Sequence, residues 1–344
     1  MLAACLLALS ACERRPLEEE EMPGGALIRV KIDWSKTNVN TASSYTKGVH
    51  RVSLRFFPKD GRAPFDLYME GNVTEGTILV EVGKYSVVIF NEAVDDHNYW
   101  RDAITFSDVN NYKNFAANIV PYTNALREQQ FPFYKPGAGE QFIVEPLPLA
   151  SWSLDNFEVT EGMVLVSYGE KPASYITAEE NDMLNAFTNV VMRPLTRQLI
   201  ITGQVENLAS MYAGYTAMKG LATKVYMASA LTTQTPATYL FMLNGRKYDA
   251  GGKNGTTNNR FLSFGRITPA GSSNESYILA ADVLLISGEF YQSTPPLRFD
   301  VTNQMINNYG MNIDVNLAIS FKLPYVEGAI GVDDWEDDEY ELDQ

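Results

Sequence analysis

From Ile313 to Phe321 the chain alternates without a break. Ile313, Val315, Leu317, Ile319 and Phe321 are large and apolar; Asn312, Asp314, Asn316, Ala318 and Ser320 between them are small or polar. A period of two puts all the large side chains on one face of an extended strand. Such a strand must lay that face on another sheet, and a slip of one residue would expose the whole apolar row. The same pattern recurs at Ile28, Val30, Ile32 and Trp34, at Val52, Leu54 and Phe56, and at Ile78, Val80 and Val82. Further strands are read at 85–90, 198–205, 223–228, 238–243 and 277–286. Turn residues separate them: Lys59-Asp60-Gly61, Glu70-Gly71-Asn72, Asn244-Gly245 and Gly251 to Gly255. Many short strands divided by such turns predict an all-β chain of antiparallel sandwiches.

Helical pattern is scarce. Thr177 and Glu180 have the spacing of a capping box, and Met183, Leu184, Phe187, Val190 and Val191 follow at helical spacing, so a minor helix is expected near 178–191. Pro194 ends it. Strands around 157–168 are assigned to the first sandwich, and 106–140 reads as a long loop with one helical turn. Pro146 and Pro148 interrupt the chain before a new strand series begins at Leu195. The chain of 344 residues then divides into an N-terminal sandwich at 26–170 and a C-terminal one at 195–330.

Charge sits at the ends. The net charge is −15, yet residues 12–22 hold five acids and two bases, and residues 333–344 hold eight acids and no base. The body, 23–332, carries a net of only −4. With no basic patch, nucleic acid is a poor partner. The segment 12–25 reads as an acidic tether and 331–344 as a solvated acidic tail.

The first twelve residues bear on location. Leu2 to Ala11 is largely apolar, too short to span a bilayer but suited to the hydrophobic part of a secretory signal. Leu9-Ser10-Ala11-Cys12 resembles the lipobox of bacterial lipoproteins, which implies cleavage between Ala11 and Cys12 and lipidation of Cys12, palmitate included, with the thiol as the lipid attachment point. Residues 1–11 are then the signal peptide. No Lys or Arg follows Met1, a departure from the pattern that a start upstream of Met1 would repair.

Three features in order resemble the fimbrillin superfamily of Bacteroides-like bacteria. They are the lipobox with Cys12-Glu13-Arg14-Arg15-Pro16-Leu17; the run Val82-Gly83-Lys84-Tyr85-Ser86-Val87-Val88-Ile89-Phe90-Asn91; and Met192-Arg193-Pro194-Leu195-Thr196-Arg197 ahead of a strand. The resemblance implies two tandem transthyretin-like or immunoglobulin-like sandwiches and assembly by β-strand addition with homologous pilus subunits. It also implies a lipid-anchored, surface-exposed place on the outer membrane. Shaft subunits of the superfamily are cut by a trypsin-like protease after an Arg near the first strand; Arg14, Arg15 and Arg29 are the candidates here, and a cut after Arg29 would split the first strand. Gly83 and Tyr85 also have a reading of their own: a Gly at a tight turn, then a Tyr whose ring packs on the core and whose hydroxyl reaches a nearby backbone group.

Chemistry-bearing patterns are few. Two His and two Cys offer little for a zinc site or a thiol nucleophile, and no phosphate loop, dinucleotide fingerprint or serine elbow is present. Asp95-Asp96-His97 reads as a polar loop, and the acidic run from Asp333 lacks the spacing of a calcium loop. No catalytic residue, metal or cofactor is expected. Aromatics cluster at Tyr99-Trp100 and at Phe131, Phe133 and Tyr134, where a carbohydrate platform or plugs for the sandwich ends are both open. Two functions stay in view: a non-catalytic fimbrial anchor, tip or accessory subunit and adhesin, or a monomeric surface lipoprotein that captures a host or glycan ligand.

Overall fold

Strands form where the alternation places them. The computed structural model describes residues 24–37, 51–71, 73–92, 103–170, 177, 181, 184–185, 187–233, 235–267, 275–294, 296–309 and 314–329. The chain is all-β, with three short helices among the described residues.

The first strand, β1 (Gly25–Asp33), buries Ala26, Ile28, Val30 and Ile32 and turns Leu27, Arg29 and Lys31 outward. β2 (Arg51–Pro58), β3 (Phe65–Glu70), β4 (Glu75–Glu81) and β5 (Gly83–Glu92) follow. An excursion then carries β6 (Ile104–Ser107), β7 (Ala116–Ile119), helix α1 (Asn124–Gln130) and β8 (Phe142–Ile143). The chain returns through β9 (Ala150–Val159), helix α2 (Glu161–Ser167), β10 (Phe187–Val191) and β11 (Arg193–Pro194). β4, β1 and β10 make one sheet, and β3, β2, β5, β9 and β11 make a facing one. Between them lie Ile28, Leu54, Phe56, Tyr85, Ile89, Phe157 and Phe187.

The second half begins with β12 (Arg197–Glu206), β13 (Met211–Ala222), β14 (Lys224–Tyr226) and β15 (Pro236–Met242). It continues with β16 (Lys247–Tyr248), β17 (Gly255–Ser263), β18 (Ile278–Leu285), β19 (Arg298–Asp300), helix α3 (Thr302–Tyr309) and β20 (Asp314–Lys322). A four-stranded sheet, β16-β17-β12-β20, faces a five-stranded one, β19-β18-β13-β15-β8; a small sheet, β14-β7-β6, joins the excursion to the second half. Leu199, Ile201, Met218, Phe261, Leu279, Leu317 and Ile319 fill this second core.

The run Val87-Val88-Ile89-Phe90 does not alternate in polarity because β5 is covered on both faces. Val87 and Ile89 enter the first core, while Val88 and Phe90 join the second cluster with Phe57 and Phe115. Motif residues make the joint between the halves. The buried Asn91 amide accepts from Ala150 N–H at 2.7 Å and donates to Pro148 C=O at 2.8 Å. Thr196 Oγ1 accepts from Leu149 N–H at 2.9 Å, and Arg193-Pro194 pairs with Ala150 and Ser151.

Four expectations need correction. The helix read over 178–191 does not reach its end: Asn185 N–H bonds Asn181 C=O as a helical turn, but Phe187–Val191 is a strand parallel to β1. Leu184, Phe187, Val190 and Val191 fit either period, and the open flank of β1 together with β-branched Val190 and Val191 favours the strand. The strand read over 157–168 ends at Val159 and gives way to α2. Thr160 caps that helix by accepting from Met163 N–H, and Met163 and Val164 are buried. The loop read over 106–140 holds β7 and a two-turn helix capped by Thr123. Finally, three pairings are parallel, β1 with β10, β12 with β20 and β15 with β8, within sheets otherwise antiparallel.

Candidate functional site

The strand with the longest alternation ends up at an edge. Val315, Leu317, Ile319 and Phe321 of β20 are buried, and the strand runs parallel to β12 from Gln198↔Asp314 to Glu206↔Lys322, with no strand on its other side among the described residues. In such a pairing, alternate residues turn their N–H and C=O outward, which would leave an unpaired ladder. Here a helix covers it. Gln304 and Asn308 stand one turn apart on α3. The Gln304 side chain donates Nε2–H to Ala318 C=O at 2.9 Å and accepts from Ala318 N–H at 2.7 Å, as a neighbouring strand would. Asn308 Nδ2–H donates to Asn316 C=O at 2.9 Å. Met305, fully buried, pins the helix to the core. Beyond Ala318, Ser320 and Lys322 border a shallow polar groove of about 810 Å³ that also touches Gln204, Glu206, Tyr248 and Asp249. Lys322 is ion-paired with Glu206.

The first strand, β1, is central by contrast, flanked by β4 and β10. Arg29 is exposed and faces Thr77 across the antiparallel pair. Its peptide bond lies inside a ladder held on both sides, and a protease needs its substrate strand freed.

Of the aromatic residues, Phe131 and Tyr134 are buried in a small cluster with Phe142, Ala217 and Leu240, on the outer face of the five-stranded sheet. Phe133 is 48% exposed and packs on Tyr215 and Phe290. Ala11, Cys12, Tyr99 and Trp100, the Asp95-Asp96-His97 run and the acidic tail lie outside the described residues.

The same cluster contains a polar hub that the sequence reading passed over. Glu140 Oε1 accepts from Thr238 Oγ1 at 2.6 Å, from the Tyr134 hydroxyl at 2.8 Å and from Lys219 Nζ at 2.9 Å, while Oε2 accepts from Gly137 N–H at 2.8 Å. Burial alone would raise the Glu140 pKa; the bonds from Thr238, Lys219, Gly137 and Tyr134 outweigh it and hold it near about 2. Burial, then the Glu140 bond and charge, push the Tyr134 hydroxyl upward. No local motif marks Glu140, because its partners are up to 98 residues away. Gln304 and Asn308 were readable only as a polar i, i+4 pair.

Among the described residues no group of three or more His, Cys, Asp or Glu is placed to hold a metal, and no helix is long and apolar enough to cross a membrane.

Solved structures similar to this chain include proteins of Bacteroides species and of Porphyromonas gingivalis. A candidate adhesin from Bacteroides ovatus aligns over 98% of this chain and 99% of its own, at 15% identity and a TM-score of 0.49. A candidate cell adhesion protein from Bacteroides eggerthii aligns over 91% of each, at 12% identity and a TM-score of 0.42. A fimbrial anchor protein from Porphyromonas gingivalis aligns over 87% of this chain and 90% of its own, at 11% identity and a TM-score of 0.41. No curated protein sequence matches. A family profile does match, over residues 11–242, more than half of the chain, and the chain therefore belongs to the family described as a domain of unknown function, DUF5119.

Proposed function

We propose that this chain is a non-catalytic surface lipoprotein of fimbrial type: an anchor, tip or accessory subunit, adhesive in character, held to the outer membrane through acylated Cys12. Residues 1–11 are removed, 12–25 tether the body, 26–170 and 195–330 are its two sandwiches, and 331–344 is a solvated tail. Its partners are homologous pilus subunits, joined by strand addition. One observation carries most of this reading: a nine-residue edge strand, β20, whose outward ladder is met by side chains rather than by another strand. Such an edge can exchange its cap for an extended segment of a neighbour. The ordered motifs at Cys12, Gly83–Asn91 and Met192–Arg197 support the same reading, and the two buried motif residues Asn91 and Thr196 have structural roles that fit it. The central position of β1 favours retention of the first strand, hence an anchor or accessory role over a shaft subunit released by a cut after Arg29.

The test begins with Cys12→Ala. One acyl chain holds a membrane only marginally, so multiple acylation is the anchor. The variant is expected to leave the outer-membrane fraction for a soluble pool; unchanged retention would contradict the lipid anchor. Screening the mature body against glycoside, ester and peptide substrates checks the non-catalytic part, where turnover abolished by replacing one carboxylate would overturn it.

The second reading, a monomeric module that captures a glycan, is favoured by the cleft beside Glu140.

A further inference from the structure

A cleft of about 580 Å³ opens where β7, the start of α1 and β8 meet. That volume is within the range of small-molecule sites. Its floor is apolar and buried, made by Ile119, Phe142 and Ile143. Its rim is rich in neutral polar groups: the amides of Asn118, Asn124 and Gln141, and threonine hydroxyls. Tyr122 and Pro121 present ring surfaces, and Glu140 closes one side.

We propose that this cleft binds a neutral saccharide. The site serves the adhesive function proposed above and names its ligand class. Three features select that class. A planar amide donates through its NH₂ and accepts through its oxygen, so one Asn or Gln matches two adjacent hydroxyls; the rim offers three such groups, Asn118 with one amide hydrogen already on Thr105 C=O at 3.2 Å. The apolar C–H face of a sugar ring packs against an aromatic ring, which Tyr122 supplies; its hydroxyl donates to Gln130 Oε1 at 2.5 Å. Charge excludes the alternatives. No Lys or Arg lines the cleft, and its one carboxylate, Glu140, is already paired with Lys219, so phosphate, sulfate and acidic sugars find no free cation there.

Glu140 is more than a boundary. Oε1 already takes three hydrogen bonds, whereas Oε2 takes one, from Gly137 N–H, and keeps capacity for another. Its position is fixed from both sides, by Thr238 and Lys219 of the sheet and by Tyr134 and Gly137 of the loop. A fixed carboxylate with a free acceptor position is suited to a sugar hydroxyl, and forms a charge-assisted bond without reorganising.

The experiment titrates the full mature chain with neutral mono- and oligosaccharides built on glucose, galactose, mannose, N-acetylglucosamine and xylose, with sialyllactose and glucuronate as acidic counterparts, read by ligand-observed NMR and calorimetry. At least one neutral sugar is expected to bind with a Kd of about 1 mM or tighter. Asn118→Ala and Gln141→Ala, at the half-buried and exposed rim, are each expected to weaken it about tenfold while leaving the melting temperature nearly unchanged, a loss of one good hydrogen bond pair. Glu140→Gln should weaken it further, and acidic sugars should bind less well than neutral ones. Silence of the whole neutral panel, binding untouched by both rim variants, or preference for the acidic sugars would each overturn the site. A silent panel for a chain found in fimbriae rejects the cleft alone; sugar binding by a chain absent from surface material rejects the fimbrial reading and leaves the cleft standing.

Discussion

Tyr85 is a residue whose role follows from its neighbours in sequence. It lies two positions after Gly83, its ring is fully buried against Phe56 and Phe65, and its hydroxyl donates to Glu81 C=O at 2.9 Å. A Cβ at Gly83 would stand 2.9 Å from that hydroxyl and 2.8 Å from Arg62 Nη2, so the glycine is required by close approach. The sequence spacing foretold both the buried ring and the returning hydroxyl. Tyr85→Phe, which loses the bond to Glu81 C=O and the one the hydroxyl accepts from Arg62 Nη2 at 3.2 Å, should cost about 1–2 kcal/mol; Tyr85→Ala should cost about 3–5 kcal/mol, the cost of emptying an aromatic site. Equal losses in urea unfolding would contradict this division. Glu140 is the opposite case, invisible locally because its partners are brought from distant segments. Its folded pKa, near about 2, is below its ordinary value of 4.5. Its stabilising contribution is therefore full above pH 4.5 and is lost as pH falls from there toward 2. Glu140→Gln should flatten stability over that window, and an unchanged acid profile would show that the hub carries no such linkage.

At the scale of elements, legibility depended on whether local pattern or packing decides. β1, β2, β4 and β20 carry the alternation and appear within three residues of their expected places. β10 did not announce itself, because a pattern with both periods is resolved only by the unpaired flank of β1. The helices α1 and α2 are seven residues each, too short for periodicity, and only their capping threonines could have marked them. Parallel neighbours are equally hidden, since alternation gives the face of a strand but not its partner. The cap on β20 is the element-level feature with most consequence. Replacing Gln304 and Asn308 together by Ala should leave α3 docked through Met305 while baring the edge. Amide exchange at Ala318 should rise by about tenfold or more, matching a loss of roughly 1–2 kcal/mol of local protection, and self-association should increase. Unaltered exchange at Ala318 would mean that the edge is protected by something other than these side chains.

Across the whole molecule, the two cores meet across β5, which is buried on both faces, and Asn91, Ser151 and Thr196 fasten the seam. This joint was legible as motifs without their mechanism: the Asn ending one run and the Thr within the other turn out to bond the same short segment, 148–150. The excursion through β6 to β8 was not legible, because β7 and β8 pair with residues that come 96 to 110 positions later. Near-neutral charge over the body and acidity at both ends leave the surface suited to protein and neutral ligands rather than to nucleic acid. The central claim is that this body is a lipid-anchored component of surface fimbriae. The most direct measurement is mass spectrometry of the chain's N-terminus in filaments sheared from the cell surface and imaged by immunogold electron microscopy. The account predicts label on or at the base of filaments and an N-terminus at acylated Cys12. Label spread over the cell with no filament association, or an N-terminus at Val30, would contradict it.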